Sequence, residues 1–324
     1  MFDIVALGEL LIDFTESGLS PSGMRLFEQN AGGAPCNMLA AATRLGMSTA
    51  FIGKVGEDSH GRFLKKTIRD AGICTDGLLL DEKVFTTLAF VSLDEKGERE
   101  FSFARKPGAD TRLKSEELNP EIVNNCRIFH FGSLSLTDDP ARSATFAALR
   151  GARASKALVS YDPNYRKGLW KSPELAQKWI QAPLETVDII KVSEEELEIV
   201  TGFSDLRDAC AYLHGKNIQC VVITLGKEGA YVSLRGKGAA LVEGAPDGEL
   251  VDKTGAGDAF WGAFLSEYIK IGKTLDELLL EDAVHCARTA NVVATLSISK
   301  RGGIPAMPYR REVQAALLQF NKEI

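Results

Sequence analysis

The 324-residue chain has no apolar run of membrane-spanning length, no block of basic residues, no Cys-x-x-Cys and no complete phosphate-binding P-loop. The first absence argues against a membrane partner. The second, with a formal net charge of −6 made of mixed charges, argues against nucleic acid. The six cysteines are scattered and the four histidines isolated, so no zinc site is expected and the thiols read as reduced core residues. Gly56 to Phe63 copies the glycine spacing of a P-loop but lacks the Lys-Ser/Thr that contacts phosphate and magnesium, so any nucleotide must be held in another way. The start, Met1 to Glu9, carries acids where a secretory leader would carry basic residues. A cytoplasmic protein that binds a small soluble ligand fits these absences best.

What is present is a 45% apolar composition, enough for a sizeable core, and a regular alternation of strand and helix patterns. Strands are expected at 4–7, 50–55, 128–131, 158–161, 188–192 and 220–224. Helices are expected at 36–45, 60–71, 141–152, 173–180, 194–201 and 206–215, then at 258–271, 275–296 and 312–320. Runs such as Cys220-Val221-Val222-Ile223 belong to strands covered on both faces, which predicts a doubly wound α/β fold with a mostly parallel sheet and helices on each side. One region breaks the rhythm. Thr86 to Leu93 and Glu100 to Phe103 read as two antiparallel strands around a turn at Asp94 to Glu98. With the extended, turn-rich stretch from Leu11 to Glu28 they form either a small separate sheet or a hairpin at the edge of the main one.

The most informative segment is Asp252-Lys253-Thr254-Gly255-Ala256-Gly257-Asp258-Ala259-Phe260. Small residues at Gly255, Ala256 and Gly257 let the backbone approach a ligand, and the helix starting there points unpaired N–H groups at it, which makes an anion site. A carboxylate at the same spot repels phosphate unless it faces a third group whose proton it can take. Asp258 therefore reads as a general base, and the pair of features describes phosphoryl transfer. The alternative is a first-turn acid that merely complements the helix dipole. Near the other end of the chain, Asp13 follows the first strand at the sheet edge where ligands gather in open α/β folds. Gly32 and Gly33 allow close backbone approach, and Asn37 supplies an amide that donates and accepts, the chemistry a polyol needs. A loop acid and a glycine turn before a helix are the plain alternatives.

The nine-residue segment resembles the C-terminal signature of the PfkB, or ribokinase-like, family of carbohydrate kinases, Asp-x-Thr-Gly-Ala-Gly-Asp-x-Phe, at every fixed position. The strand-end Asp13 and Gly32-Gly33-Ala34-Pro35-Cys36-Asn37 resemble its N-terminal half. Arg105 to Asp110 is similar to the Arg-x-x-x-Ala-Asp stretch of the fructokinase branch. The resemblance covers nearly the whole chain. It implies one ribokinase-like domain over 1–324, with a small β lid from about 11–30 and 85–106 that often makes a homodimer.

The implied activity is ATP-dependent phosphorylation of fructose, giving fructose 6-phosphate, with Asp258 as base and residues 255–258 as anion hole. Ketodeoxygluconate kinase of the same family and a non-catalytic sugar- or nucleotide-binding regulator are the alternatives. Asp13, Gly32, Gly33, Asn37, Arg105 and Arg166 are implied at the sugar. Asn164 (in Asp162-Pro163-Asn164-Tyr165-Arg166), Ser193, Thr224, Gly226, Gly229, Gly257 and Asn291 are implied at the nucleotide. Glu196 would meet Mg²⁺ through water, in a segment where Ser193 replaces the family's usual asparagine. Asp252 and Gly302 are the place for a monovalent cation such as K⁺ in potassium-dependent relatives.

Overall fold

The computed structural model describes residues 1–93, 99–246 and 250–323. The turn expected at Asp94 to Glu98 lies outside them.

Nine strands form one sheet: β1 (Phe2–Leu7), β4 (Thr49–Gly56), β5 (Cys74–Asp81), β8 (Cys126–Gly132), β9 (Leu158–Asp162), β10 (Ile189–Ser193), β11 (Cys220–Thr224), β12 (Gly229–Leu234) and β13 (Gly238–Glu243). Four others form a second sheet: β2 (Leu11–Leu19), β3 (Arg25–Gly32), β6 (Leu88–Leu93) and β7 (Arg99–Ala104). The helices are α1 (Ala34–Arg44), α2 (Ser59–Asp70), α3 (Pro120–Val123), α4 (Ala141–Ala154), α5 (Pro173–Gln181), α6 (Leu197–Thr201), α7 (Leu206–Gly215), α8 (Ala256–Ile271), α9 (Leu280–Ser297) and α10 (Arg310–Glu323).

The large sheet runs β13-β12-β11-β10-β9-β8-β1-β4-β5, parallel from β11 to β5. Strand order reverses beside β1, which pairs with β4 on one side and β8 on the other. In open α/β sheets this reversal opens a crevice at the carboxyl ends of the strands. Two apolar clusters fill the two faces. One is built on α1, α8 and α9, the other on α4, α5, α6 and α7. Phe2 to Leu7 and Cys220 to Thr224 become central strands because β-branched and aliphatic residues on both faces are covered by these helices.

Helix ends are marked locally. Asp58 caps α2 by accepting from the Gly61 N–H, and Asp205 caps α7 by accepting from Arg207 and Asp208. Helix α8 is apolar around its circumference because α1 packs on one side of it and α9 on the other.

The expected doubly wound sheet is present, with three differences. Strand β5 pairs parallel with β4 although its sequence, Cys-Thr-Asp-Gly-Leu-Leu-Leu-Asp, hides its period behind a glycine and two acids. The antiparallel hairpin β12–β13 extends the sheet past β11, beyond the last strand expected at 220–224. Helix α9 begins at Leu280, not at 275, since the Asp282 carboxylate accepts from the Leu279 N–H and fixes the start there.

The small sheet, in the order β3-β2-β6-β7, is separate from the large one. It pairs β2 with β3 and β6 with β7 antiparallel, and β2 with β6 parallel. Leu11, Asp13 and Thr15 alternate onto one face of β2, with Val91 directly across from Thr15. The other face stacks Phe14 on Phe90 at 5.2 Å.

Candidate active site

The carboxyl ends of β1, β9 and β11 and the start of α8 meet at two adjoining cavities. The smaller, about 170 Å³, is lined by Asp13, Gly33, Asn37, Asn164, Arg166, Gly255 and Asp258, with Glu9, Thr15, Val91 and Phe103 closing its sides. The larger, about 470 Å³, is lined by Thr224, Gly226, Gly229, Ala256, Gly257 and Asn291, with Leu250, Phe260 and Ile298 giving it an apolar wall. The turn Gly255 to Asp258 is the partition: Gly255 and Asp258 face the first cavity, Ala256 and Gly257 the second. Lys253 borders both.

Gly255 holds φ 78°, a left-handed conformation that glycine adopts without strain, and no side chain caps the helix it begins. The amides of Gly257 and Asp258 therefore keep the free valence of any first helical turn, and the helix dipole adds positive potential there. A two-cavity site with an anion-binding turn as its dividing wall can pass a charged group from one ligand to another.

Asp258 is 8% exposed and held from both sides. Its Oδ2 accepts from Asn37 Nδ2 at 2.9 Å, and its Oδ1 accepts from Asn164 Nδ2 at 3.1 Å. Asn164 takes φ 47°, unusual for a residue with a Cβ, and that conformation turns its amide back toward α8. Burial, then the neighbouring Asp162, push the Asp258 carboxyl up to about 6, against the opposing pull of Asn37, Lys191 and Arg166. The group is ionised at neutral pH yet basic enough to collect a proton as one is released.

Asp13 sits over Gly32: a Cβ there would fall 2.0 Å from Asp13 Oδ2, so only glycine leaves room for this carboxylate. Gly33, at φ 120°, is fixed by the backbone of Glu9, whose carbonyl oxygen lies 2.5 Å from the position of a Cβ. Glu9 is buried behind it. Its Oε1 accepts from the Ala34 N–H at 3.0 Å, its Oε2 has no partner, and burial pushes the carboxyl up to about 7.

Several residues singled out from the sequence are committed to other partners, and some of them stand outside the two cavities. Arg105 is 8% exposed and its donors are committed: Nε to Asp110 at 2.8 Å, Nη1 to Thr137 at 2.9 Å and Nη2 to the Leu134 carbonyl at 3.0 Å. It borders a separate hollow with Lys106, Arg112 and Lys171, while Phe103 and Leu134 carry its influence to the sugar-sized cavity. Ser193 gives its hydroxyl and its N–H to Glu196 Oε2, at 2.9 and 3.0 Å, and lines neither cavity. Glu196 Oε1 accepts from the Tyr165 N–H. Asp252 caps its own turn by accepting from the Thr254 N–H and hydroxyl, and its Oδ2 accepts from the Gly302 N–H at 3.0 Å, tying the two loops together. Asn291 lines the larger cavity while donating to the carbonyls of Val242 and Glu243.

Sequence reasoning missed Lys191, Asp162, Glu9 and Lys253. Lysine in the middle of Ile189-Ile190-Lys191-Val192, a strand buried on both faces, was the available signal for the first.

A model of the family described as pfkB family carbohydrate kinase matches residues 1–310. The chain is 40% identical to fructokinase-1 of Zea mays over 314 residues, 96% of each chain. Among solved structures, a fructokinase with bound ATP from Xylella fastidiosa superposes with a TM-score of 0.88 at 32% identity, covering 98% of both chains. A fructokinase from Vibrio cholerae O395 in a form with fructose, ADP and calcium gives 0.87 at 32% identity, covering 98% of this chain and 99% of that one.

Proposed function

This chain belongs to the pfkB family of carbohydrate kinases, and from that premise we propose that it transfers the γ-phosphoryl group of ATP to a hydroxyl of fructose, giving fructose 6-phosphate. The observation that carries the reading is the partition Gly255 to Asp258, shared by a small polar cavity and a larger, partly apolar one. Fructose takes the small cavity, among Asp13, Gly33, Asn37 and Asp258. ATP takes the larger, its base toward Asn291 and its phosphates toward Gly226 and the turn.

As the acceptor oxygen bonds to phosphorus, its O–H bond breaks and the proton passes to Asp258, while the bond from phosphorus to the β–γ bridging oxygen breaks and ADP leaves. Proton transfer is late, because a carboxylate near 6 cannot deprotonate an alcohol in advance. The amides at 255–258 hold the charge on the phosphoryl oxygens. Asn37 and Asn164 fix the carboxylate's aim, and Arg166 adds positive charge from the cavity wall.

A divalent cation bound together with ATP would supply charge neutralisation at the phosphates. Mg²⁺ would suit that task, since it commonly binds through substrate phosphates and water with one or two protein carboxylates. Glu196, with lone pairs to spare beyond its bonds to Ser193 and Tyr165, would meet it through water. Asp252 and the Gly302 loop are the place for a monovalent cation.

The chain acts as one α/β domain with the small sheet, about 11–30 and 85–106, as an inserted lid. We read it as cytoplasmic: its six cysteines are free, and no helix among the described residues is long and apolar enough to cross a membrane. The lid carries an apolar surface in which Leu19 is 64% and Met24 68% exposed, and a second copy of the chain covers it. Sedimentation should then give a dimer that Leu19→Asp with Met24→Asp dissociates.

The activity is tested by ADP release with fructose, ketodeoxygluconate, ribose and adenosine in parallel, followed by phosphorus NMR of the product. Preference for ketodeoxygluconate would move the chain to the neighbouring specificity. No turnover with any of them would make it a binding protein.

A further inference from the structure

Lys191 lies in the centre of the parallel sheet, 5% exposed, between Ile190 and Val192. An ammonium group there is costly unless paired, and the structure pairs it with Asp162 Oδ2 at 2.8 Å, both side chains nearly inaccessible. Stability alone is a poor reason for such a pair, since apolar residues of similar volume commonly serve as well. Its location supplies another reason. A Cβ built on Gly257 would lie 3.1 Å from Lys191 Nζ, so the ammonium stands directly behind the third residue of the anion-binding turn, one residue from Asp258. Asp162 leads into the loop that carries Asn164 and Arg166, and its Oδ1 is buried with no hydrogen-bond partner.

The charged groups that bear on Asp258 come from two neighbouring strand ends: Asp162 and Arg166 at the end of β9, Lys191 in β10. Lys191 in turn faces Glu196 beyond β10 and the buried His130 of β8. Within this set Lys191 is the one buried cation, and Asp162 its anchor.

We propose that Lys191 and Asp162 are positioning residues for phosphoryl transfer, acting through Asp258 and the turn: the ammonium behind Gly257 keeps Asp258 ionised and adds positive charge beneath the incoming γ-phosphoryl, while Asp162 holds the ammonium there and favours proton uptake by Asp258. The inference rests on the kinase reading. Two opposed charges set the base, so removing each has the opposite effect on it. The direction of both effects agrees with the Asp258 carboxyl, which Asp162 pushes up and Lys191 pulls down.

The test titrates the Asp258 carboxyl by carbon NMR in protein labelled at aspartate, assigned by its loss in Asp258→Asn, and measures kcat against pH alongside. In Lys191→Met the midpoint should rise by about one pH unit; in Asp162→Asn it should fall by a similar amount; in the double variant it should return close to the original value. Turnover of Lys191→Met at pH 7 should fall ~10-fold with the fructose KM within about twofold, since the sugar contacts are untouched. If Lys191→Met does not fold, the downward move in Asp162→Asn and its reversal in the double variant carry the same decision. An Asp258 midpoint that stays put in folded variants overturns the proposal. The NMR titration does not depend on turnover, so absence of sugar phosphorylation by the original protein would remove the kinase reading and leave the electrostatic relationship separately decided.

Discussion

Asn37 donates to Asp258 across 2.9 Å, and the two residues are 221 positions apart in the chain. One stands in the first turns of α1, the other in the first turn of α8, and α1 packs against α8 along its length. The hydrogen bond ties Asn37 of the small cavity to the Asp258 carboxylate, so the aim of the proposed base depends on the packing of two helices.

Replacing Asp258 by Asn keeps the size and an acceptor oxygen for one of its two amide donors, Asn37 and Asn164, while removing the proton acceptor. Turnover should drop at least ~10²-fold with fructose affinity nearly unchanged. Steady-state kinetics with calorimetric fructose binding checks this, and near-normal turnover would exclude Asp258 as the base.

Activity should rise with pH through about 6 and level off above it, because Asp258 must be ionised to take the proton and its burial holds it there. Stability should run the other way in part of the range. Glu9 and Asp258 are raised in the folded protein to about 7 and about 6 from 4.5 and 3.8, so the folded chain binds more protons than the unfolded one over that interval. Their stabilising effect is complete below the unfolded values and is lost as pH climbs past the folded ones. Asp58 and Asp81, whose burial is outweighed by hydrogen bonds from Thr86 and Gly61 and from Lys83 and Val84, are lowered and lose their contribution as pH falls. The melting temperature of the unliganded protein should therefore decline between about pH 5 and pH 7.5 as well as in strong acid. Glu9→Gln should flatten the neutral side of that curve; an unchanged slope would show that Glu9 does not titrate there.

Arg105→Ala strands Asp110, whose Oδ1 and Oδ2 receive Thr87 and Arg105 in a closed, water-poor setting. The cost should be ~3–5 kcal/mol of stability, the usual result of removing one partner of a buried pair. Strand β7, which ends at Ala104 just before Arg105, loses its anchor, so the fructose KM should rise while that for ATP stays within about twofold. A variant altered only in ATP affinity would place Arg105 with the nucleotide instead.

Asn164 offers a comparison between shape and chemistry. Asn164→Gly keeps the left-handed backbone available and removes only the amide, whereas Asn164→Ala also strains the turn by ~1 kcal/mol. Both should slow turnover ~10-fold, with the alanine variant melting lower. Equal melting temperatures would show that the turn carries no such strain.

Much of this was legible in the sequence, for identifiable reasons. The parallel core announced itself because strands covered on both faces must be apolar throughout, and the turn before α8 because glycines and an acid in that order have few other uses. Less visible were features that depend on partners distant along the chain. Arg105 is a plain charge beside a turn until Asp110, Thr137 and Leu134 close around it. Strand β5 and the β12–β13 hairpin owe their existence to neighbours rather than to their own period. Lys191 looks like an interruption of an apolar strand, and only the fold shows that Asp162 and Gly257 lie beside it.

The reversal of strand order beside β1 has one more effect. The wall of the small cavity opposite the Gly255 to Asp258 turn comes mostly from the first 110 positions, from the end of β1, from α1 and from the small sheet, whereas Asn164, Arg166, the turn and the lining of the larger cavity come from the second half of the chain. The shape of the small cavity can therefore be altered at the small sheet and the β1 end without touching the turn that divides it from the larger one.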